Sequence, residues 1–557
     1  MLKLILTTSC FLFAIYHTTL AEVHDPRALM ANPITATSSI APKLDGLGNY
    51  DFKVTTSSKE SQYFFNQGYR LTAAFNHSEA LRAFKEAVRL DQNNAMAYWG
   101  WALVLGPNLN LPMQDKVKLQ AYNAIQSAVS LKDNVSKRER AYIDALAKRY
   151  SNDPKVKRSD LDIAYADAMK DLVKAYPDDL DAATLYAAAL MNTNPWDYWY
   201  RDGTPKLHTK LIMKTLQSVI KRNPKHAAAH HYLIHTVEAF RPKLGVDSAD
   251  ILGSLMPGAG HLVHMPSHIY MRVGRYADAY KANVKASAAD EKYITQCRTQ
   301  GMYPLTYYPH NLHFMVWSSM FLGRSAEALD AARRTAAAIP ENEAANIWAI
   351  NETFRSQPMF VLVRFGQWDA MLAEPQPKEI HRFMNAVWHY GRGLAYANKN
   401  KLTAARMELD ILNNIRIKAE ADGAYYLGFS AGNSLLTIAE LILKGEIQAK
   451  MGNSDLAVSY LDRAVRIEDS LRYNEPPDWY FPVRHVLGAI LLESGKANEA
   501  EVVYWEDLRR NPENGFALHG LHQSIKSQGD NAVATVIKAR LNNAWKEADV
   551  ELKTSRY

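Results

Sequence analysis

The sequence predicts an all-α solenoid of stacked antiparallel helix pairs that curl around a concave groove. Three observations carry this. Apolar residues recur at helical spacing, as in SKRERAYIDALAKRY and LDIAYADAMKDLVKAYPDD within 96–226. Strand patterns of period two are nearly absent. A pattern of small residues and a turn glycine returns along the chain, with Gly495 and Gly529 in phase at a spacing of 34 residues. The totals agree with a globular protein: 557 residues, 48% apolar and 22% charged, carry a formal charge of +7. KRER at 137–140 is the densest basic cluster and reads as a solvated helix face, so nucleic acid is not an expected partner.

The first element is not part of the fold. MLKLILTTSCFLFAIYHTTLA has a basic start at Lys3, an apolar run from Leu4 to Tyr16 and small residues at Thr19 and Ala21. This is the pattern of a secretory signal peptide over residues 1–21, cut after Ala21, which predicts a periplasmic or secreted protein. The run is too short for a membrane span, so no transmembrane segment is expected. Removing it also removes Cys10 and leaves Cys297 alone, which forbids an internal disulfide. Residues 22–58, rich in Pro, Ser and Thr, read as an extended lead-in.

Helix pairs begin at residue 59. In FNQGYRLTAAFNHSEALRAFKEAVRLDQNN, counted from residue 61, Gly68, Ala80, Phe84 and Ala87 take the eighth, twentieth, twenty-fourth and twenty-seventh places. This segment resembles a tetratricopeptide repeat (TPR), a helix pair of about 34 residues. Related turns follow in VGRYADAYKANVKA (273–286), LGRSAEALDAARRTA (322–336) and FGQWDAML (365–372). Further copies are MGNSDLAVSYLDRAVRI (451–467) and SGKANEAEVVYWEDLRRNPEN (494–514). The expected organisation is an N-terminal solenoid over 59–345 with a His-rich groove, then C-terminal repeats over 346–557. Solenoids of this kind ordinarily bind peptides or proteins, so the C-terminal repeats are a candidate partner surface.

Histidine breaks the ordinary pattern. Nine of the 18 histidines lie between 226 and 313, beginning with HAAAHHYLIHTVEAF. On a helix turning about 100° per residue, His231, His235 and Glu238 share one stripe. His226 and His230 lie on another stripe and are weaker candidates. Counting from the turn glycines Gly274 and Gly323 puts His261, His264 and His268 on the next first helix and His310 and His313 on the one after. In TPRs generally those positions line the concave groove, so the resemblance implies that the seven histidines and Glu238 face one space. Pro266 interrupts the second of these helices, so regular helix is expected to start there, with His261 and His264 on a preceding turn. Pro309 is expected to open the third.

Crowded imidazoles cannot all be charged, and neutral ones still need partners. A transition metal satisfies them together, and imidazole suits copper, zinc or iron. The expected ligands are His231, His235, His261, His264, His268, His310 and His313, with Glu238 as a further ligand or as general base. The set is large enough for two ions, and its histidine pairs parallel six-imidazole dicopper sites. HExxH, HxxEH, Walker and dinucleotide signatures are absent. NTNPWDYWYRDGTP (192–205) interrupts the repeats just before the first histidine helix. Its Trp196, Tyr198 and Trp199, with Tyr232 and Tyr308, are the candidate walls of a pocket for a small-molecule or peptide substrate.

FNHSEALRAFKEAVRLDQNNAMAYWGWALVLGPNLN, PDDLDAATLYAAALMNTNPWDYW, HHYLIHTVEAF, MPGAGHLVHMPSHIYMRVGRYADA and YYPHNLHF together resemble a family of exported bacterial TPR proteins across about 60–330. That resemblance implies the fold and export and supplies no catalytic residues. Two functions follow as expectations: an exported metal-dependent enzyme, redox or hydrolytic, or a scaffold that captures a peptide or envelope protein without catalysis.

Overall fold

Asparagine, aspartate and serine mark the helix starts. Asn76 Oδ1 accepts from Glu79 N at 3.3 Å, Asn94 from Ala97 N at 3.0 Å and Asp179 from Ala182 N at 3.0 Å. Ser136 and Glu139 close a reciprocal capping box at the start of Lys137–Ala147. The computed structural model describes residues 30–297, 302–339, 350–422, 426–427 and 430–557. Residues 1–21 and the boundary expected at 345/346 lie outside them.

The described residues form the all-α stack of helix pairs. Lys59–Ala73 packs on His77–Leu90, and Ala95–Leu105 on Lys118–Leu131. The first seam depends on missing side chains: a Cβ on Gly100 would lie 2.3 Å from Phe84 Cε1, and one on Gly68 2.9 Å from it. Gly100→Ala is therefore expected to lower unfolding free energy by about 1–3 kcal/mol in a urea titration, the usual cost of overpacking.

Three later pairs carry the histidines. Ala227–Val237 packs on Val246–Leu255; Gly260–His264 and Pro266–Arg272 pack on Tyr276–Cys297; Met302–Leu322 packs on Ser325–Ala337. The last two turns use Gly274 and Gly323 at φ +81° and +72°, a region costly for any other residue. Three local expectations change. His261 and His264 lie on a short helix rather than a turn, because Met265 keeps helical angles into Pro266. Pro309 sits inside Met302–Leu322 instead of opening it. A two-stranded hairpin pairs Tyr426–Leu427 with Ser430–Ala431.

Residues 30–58 run without long helices or strands up to Ser58 and lie against the first helices. Phe52 inserts beside Phe65 and Tyr69, with ring centroids 5.6 and 4.9 Å away. Ile40 N donates to Glu86, Leu44 N to Gln67 and Phe52 N to Asn66. Side chains of the first pair thus satisfy the lead-in backbone much as they would a bound peptide.

Two apolar cores share one helix. Phe314, Trp317 and Phe321 of Met302–Leu322 join the N-terminal core, while Leu312, Val316 and Met320 join the C-terminal one. The stack also turns back on itself, beyond the nearest-neighbour contacts of a simple solenoid. Tyr276 Oη donates to Pro512 O at 2.7 Å, Ser325 N to Asp549 at 2.6 Å and Arg201 to Ser470 O at 2.9 Å. This return brings the 471–482 connection over the histidine helices. No helix among the described residues is long and apolar enough to cross a membrane.

Candidate metal centre

Helical spacing aims the imidazoles inward, and neighbouring elements fix their tautomers. His231 Nδ1 lies 2.7 Å from the carbonyl of Ala73. A carbonyl only accepts, so Nδ1 carries the proton and Nε2 is bare. His264 Nδ1 lies 2.6 Å from Asn283 Oδ1. The Asn283 amide is oriented in turn by Nδ2 donating to Ala279 O at 2.8 Å, so His264 Nε2 is bare as well.

Six imidazoles resolve into two triads. His231, His235 and His261 form one, and His264, His268 and His310 the other; within each, one nitrogen per ring lies within 4.8 Å of the others. In the first, His231 Nε2 is 3.1 Å from His261 Nε2. His261 Nδ1 and His235 Nε2 are buried without a hydrogen-bond partner. No placement of protons satisfies every nitrogen of this triad. In the second, His264 Nε2 is 2.8 Å from His268 Nε2. The triads adjoin, with ring centroids 5.8 Å apart for His235 and His268 and 6.0 Å for His261 and His264.

Carboxylates stand behind the rings. His268 Nδ1 lies 2.9 Å from Glu238 Oε2 and 3.0 Å from Glu475 Oε2. These are ion-pair distances without hydrogen-bond alignment, since Nδ1 and both oxygens lack an aligned partner. Glu238 Oε1 lies 3.3 Å from His235 Nδ1. Glu238, His268 and Glu475 form a third group able to hold a cation.

Electrostatics separates His268 from the rest. Burial, then repulsion from neighbouring imidazoles, pushes His231, His235, His261, His264 and His310 well below the ordinary imidazole range. Burial also opposes charge on His268, but Glu238 and Glu475 outweigh it and push this group up to about 10. Burial raises both carboxyls in turn. The 2.8 Å approach of His264 Nε2 and His268 Nε2 needs a proton or a cation between the two nitrogens.

Apolar rings close the centre. Phe75 packs on His231 and His261 at 4.4 and 5.4 Å, and Phe314 on His264 and His268 at 4.6 and 4.8 Å. On the other side the centre adjoins a cleft of about 1120 Å³, where His235, Glu238 and Glu475 form part of the lining. Trp196, Tyr198 and Trp199 wall this cleft, and the Trp196 ring meets that of His235 edge-on at 5.1 Å. Trp199 is held by Nε1 donating to Thr236 O at 2.8 Å.

Some expected residues lie elsewhere. His313 joins none of the three groups among the described residues and packs between Phe354 and Tyr480 at 5.4 Å from each. Its three-residue offset from His310 rotates it about 60° toward the C-terminal core. Tyr232 is buried core against Phe75 and His231 rather than pocket wall. Tyr308 points away from the cleft and donates to Glu291 at 2.8 Å. His230, on the weaker stripe, is satisfied by Ser248 and Pro224, and His226 caps its helix. Sequence reasoning missed Glu475, Asn283, Phe75 and Phe314. Of these only Glu475 carried a signal, the break in repeat rhythm at NEPPDWYF (474–481).

Comparison with known proteins adds the repeat itself: a tetratricopeptide-repeat model matches residues 441–470, on the pair Gly432–Lys450 and Ser454–Ser470. Among solved structures, a human IFIT1 dimer with m7Gppp-AAAA aligns over 88% of this chain and 91% of its own, at 11% identity and TM-score 0.31. Yeast Tom70 aligns over 87% and 93%, at 10% identity and TM-score 0.27. At these scores nothing of either protein is carried over. A search of curated proteins returns no match. The chain thus contains a tetratricopeptide repeat within an all-α stack whose grouped histidines and glutamates are able to hold metal.

Proposed function

We propose that this chain is an exported, transition-metal-dependent enzyme whose two imidazole triads hold a pair of ions at the edge of the aromatic cleft. One observation carries the reading: imidazole nitrogens converge in each triad while the outer nitrogens of His231, His264, His235 and His268 face Ala73 O, Asn283, Glu238 and Glu475. Outer partners of this kind fix ring orientation and raise ligand basicity. Nitrogen-only triads favour copper or zinc over magnesium or calcium, and their pairing favours copper. When bound, copper supplies one-electron steps at adjoining ions, whereas zinc supplies an activated water.

The chain's own residues do the rest. Glu238 and Glu475 orient His268 and, through Glu238, His235. Phe75 and Phe314 exclude water from the triads. The cleft admits a small substrate beside His235. A peptide-capturing scaffold is less favoured, since the lead-in already covers the first helices and the C-terminal repeats narrow the groove. Export, with cleavage after Ala21, remains part of this proposal.

The test is elemental analysis of protein purified without a histidine tag. About two equivalents of copper per chain are expected. Two of zinc would keep the centre and change the chemistry to hydrolysis. Protein that stays metal-free after exposure to either ion would overturn the reading.

A further inference from the structure

The acidic and basic residues of the cleft are not matched alike. Of its carboxylates, Asp197 pairs with Lys206, Asp469 with Arg484 and Arg510, Asp478 accepts from Asn474, and Glu238 and Glu475 face His268. Three guanidinium groups there bond chiefly to main-chain carbonyls. Arg201 donates to Ser470 O at 2.9 Å, Arg241 to Phe240 O and Gly203 O at 3.2 and 3.3 Å, and Arg272 to Ala239 O at 3.2 Å. Such bonds leave positive charge uncompensated. Among the described residues Arg272 has one carboxylate within ion-pair distance, Glu475 at 3.8 Å, which is already shared with His268. Its buried Nε has no hydrogen-bond partner.

Position adds to charge. Arg272 lies four residues after His268 on Pro266–Arg272, so the two share a face about 5–6 Å apart. Arg241 lies over the Trp199 ring at 5.7 Å and Arg272 over Tyr473 at 5.7 Å, so aromatic surface and cationic groups alternate along the wall. Groups that would recognise a polyol are already engaged: Asp202 Oδ1 accepts from Thr204 N at 2.8 Å, and Asn474 Nδ2 donates to Asp478 at 2.7 Å. A sugar would find few free partners here, while a flat apolar ring with one anionic group would find both of its needs met.

We propose that the cleft binds aromatic carboxylates, with the carboxylate on Arg272 and Arg241 and the ring on the Trp196–Trp199 wall. The ring then lies beside His235, and Arg272 lies one helical turn from His268. As a substrate assignment this rests on the metal-enzyme reading; as a binding site it does not, because none of the contacts involves a metal.

Benzoate, trans-cinnamate and uncharged benzyl alcohol, titrated calorimetrically into the full chain before and after metal loading, test this. Both carboxylates are expected to bind at least tenfold more tightly than the alcohol in both states. Arg272→Gln and Arg241→Gln should each weaken benzoate about tenfold and leave benzyl alcohol unchanged. Arg272→Lys should restore part of the loss, and Arg466→Gln, a charge removed outside the cleft, should have no effect. Equal binding of acid and alcohol, or full benzoate affinity in both Gln variants, would overturn the proposal. Benzoate binding that appears only with metal and ignores both arginines would also overturn it, while supporting the metal centre. Protein that takes up no copper or zinc yet shows the arginine-dependent preference would support the site and refute the metal reading.

Discussion

The His231→Ala/His264→Ala double variant is expected to lose both metal ions while keeping the fold. Each substitution removes one imidazole from one triad, and in each case the missing ring is one whose orientation is locked, by Ala73 O or by Asn283. Loss of an outer partner alone commonly weakens metal binding about 10–100-fold, so loss of a ligand should exceed about 100-fold per site. His313→Ala is the contrast. It should retain both ions, because His313 packs with Phe354 and Tyr480 outside the triads. Metal content by plasma emission, with circular dichroism to confirm helicity, separates the two. Equal losses in both variants would mean that the triads are not the ligand sets.

Glu475→Gln is expected to weaken metal binding about 10–100-fold without unfolding the chain. The change is isosteric and removes the charge that faces His268 Nδ1 at 3.0 Å. Glu238 remains on the same nitrogen, so the ring keeps one orienting carboxylate. Glu238→Gln should cost more, since Glu238 also serves His235, and the double variant should approach the loss caused by removing a ligand. Competition titrations against a copper chelator give the affinities. An unchanged affinity in both single variants would show that the carboxylates only fill space, and Glu238 would then be neither ligand nor orienting group.

Both predictions depend on features of unequal legibility. The helix pairs were readable because their requirements are local: Gly68 admits Phe84, and Gly274 and Gly323 adopt a conformation other residues resist. The His231–His235 stripe was readable for the same reason, since offsets of four place both rings on one face. That His313 falls outside the triads was not, because the elements packed around it decide which group its ring joins, and Phe354 and Tyr480 come from the C-terminal half. Glu475 could not be assigned from local pattern at all. It reaches His268 only because the C-terminal repeats fold back through contacts such as Tyr276 with Pro512. Tyr232 and Tyr308 illustrate the converse error: proximity in sequence to the histidines did not bring their rings to the cleft, since each points to a different side of its helix.

The same return of the C-terminal half makes the centre a product of the whole chain. The grouped imidazoles come from three consecutive first helices, one carboxylate beside them from the 471–482 connection and their apolar covers from Phe75 and Phe314. The aromatic loop at 192–205 then supplies the wall between solvent and His235. This arrangement leaves the grouped imidazoles buried on one side and flanked by the cleft on the other.

Anomalous diffraction from crystals of copper-loaded protein, collected above and below the copper absorption edge, addresses the centre most directly. Two peaks roughly 4 Å apart are expected, one within reach of His231, His235 and His261 and the other of His264, His268 and His310. No peak between these rings, or a peak confined to surface histidines, would contradict it.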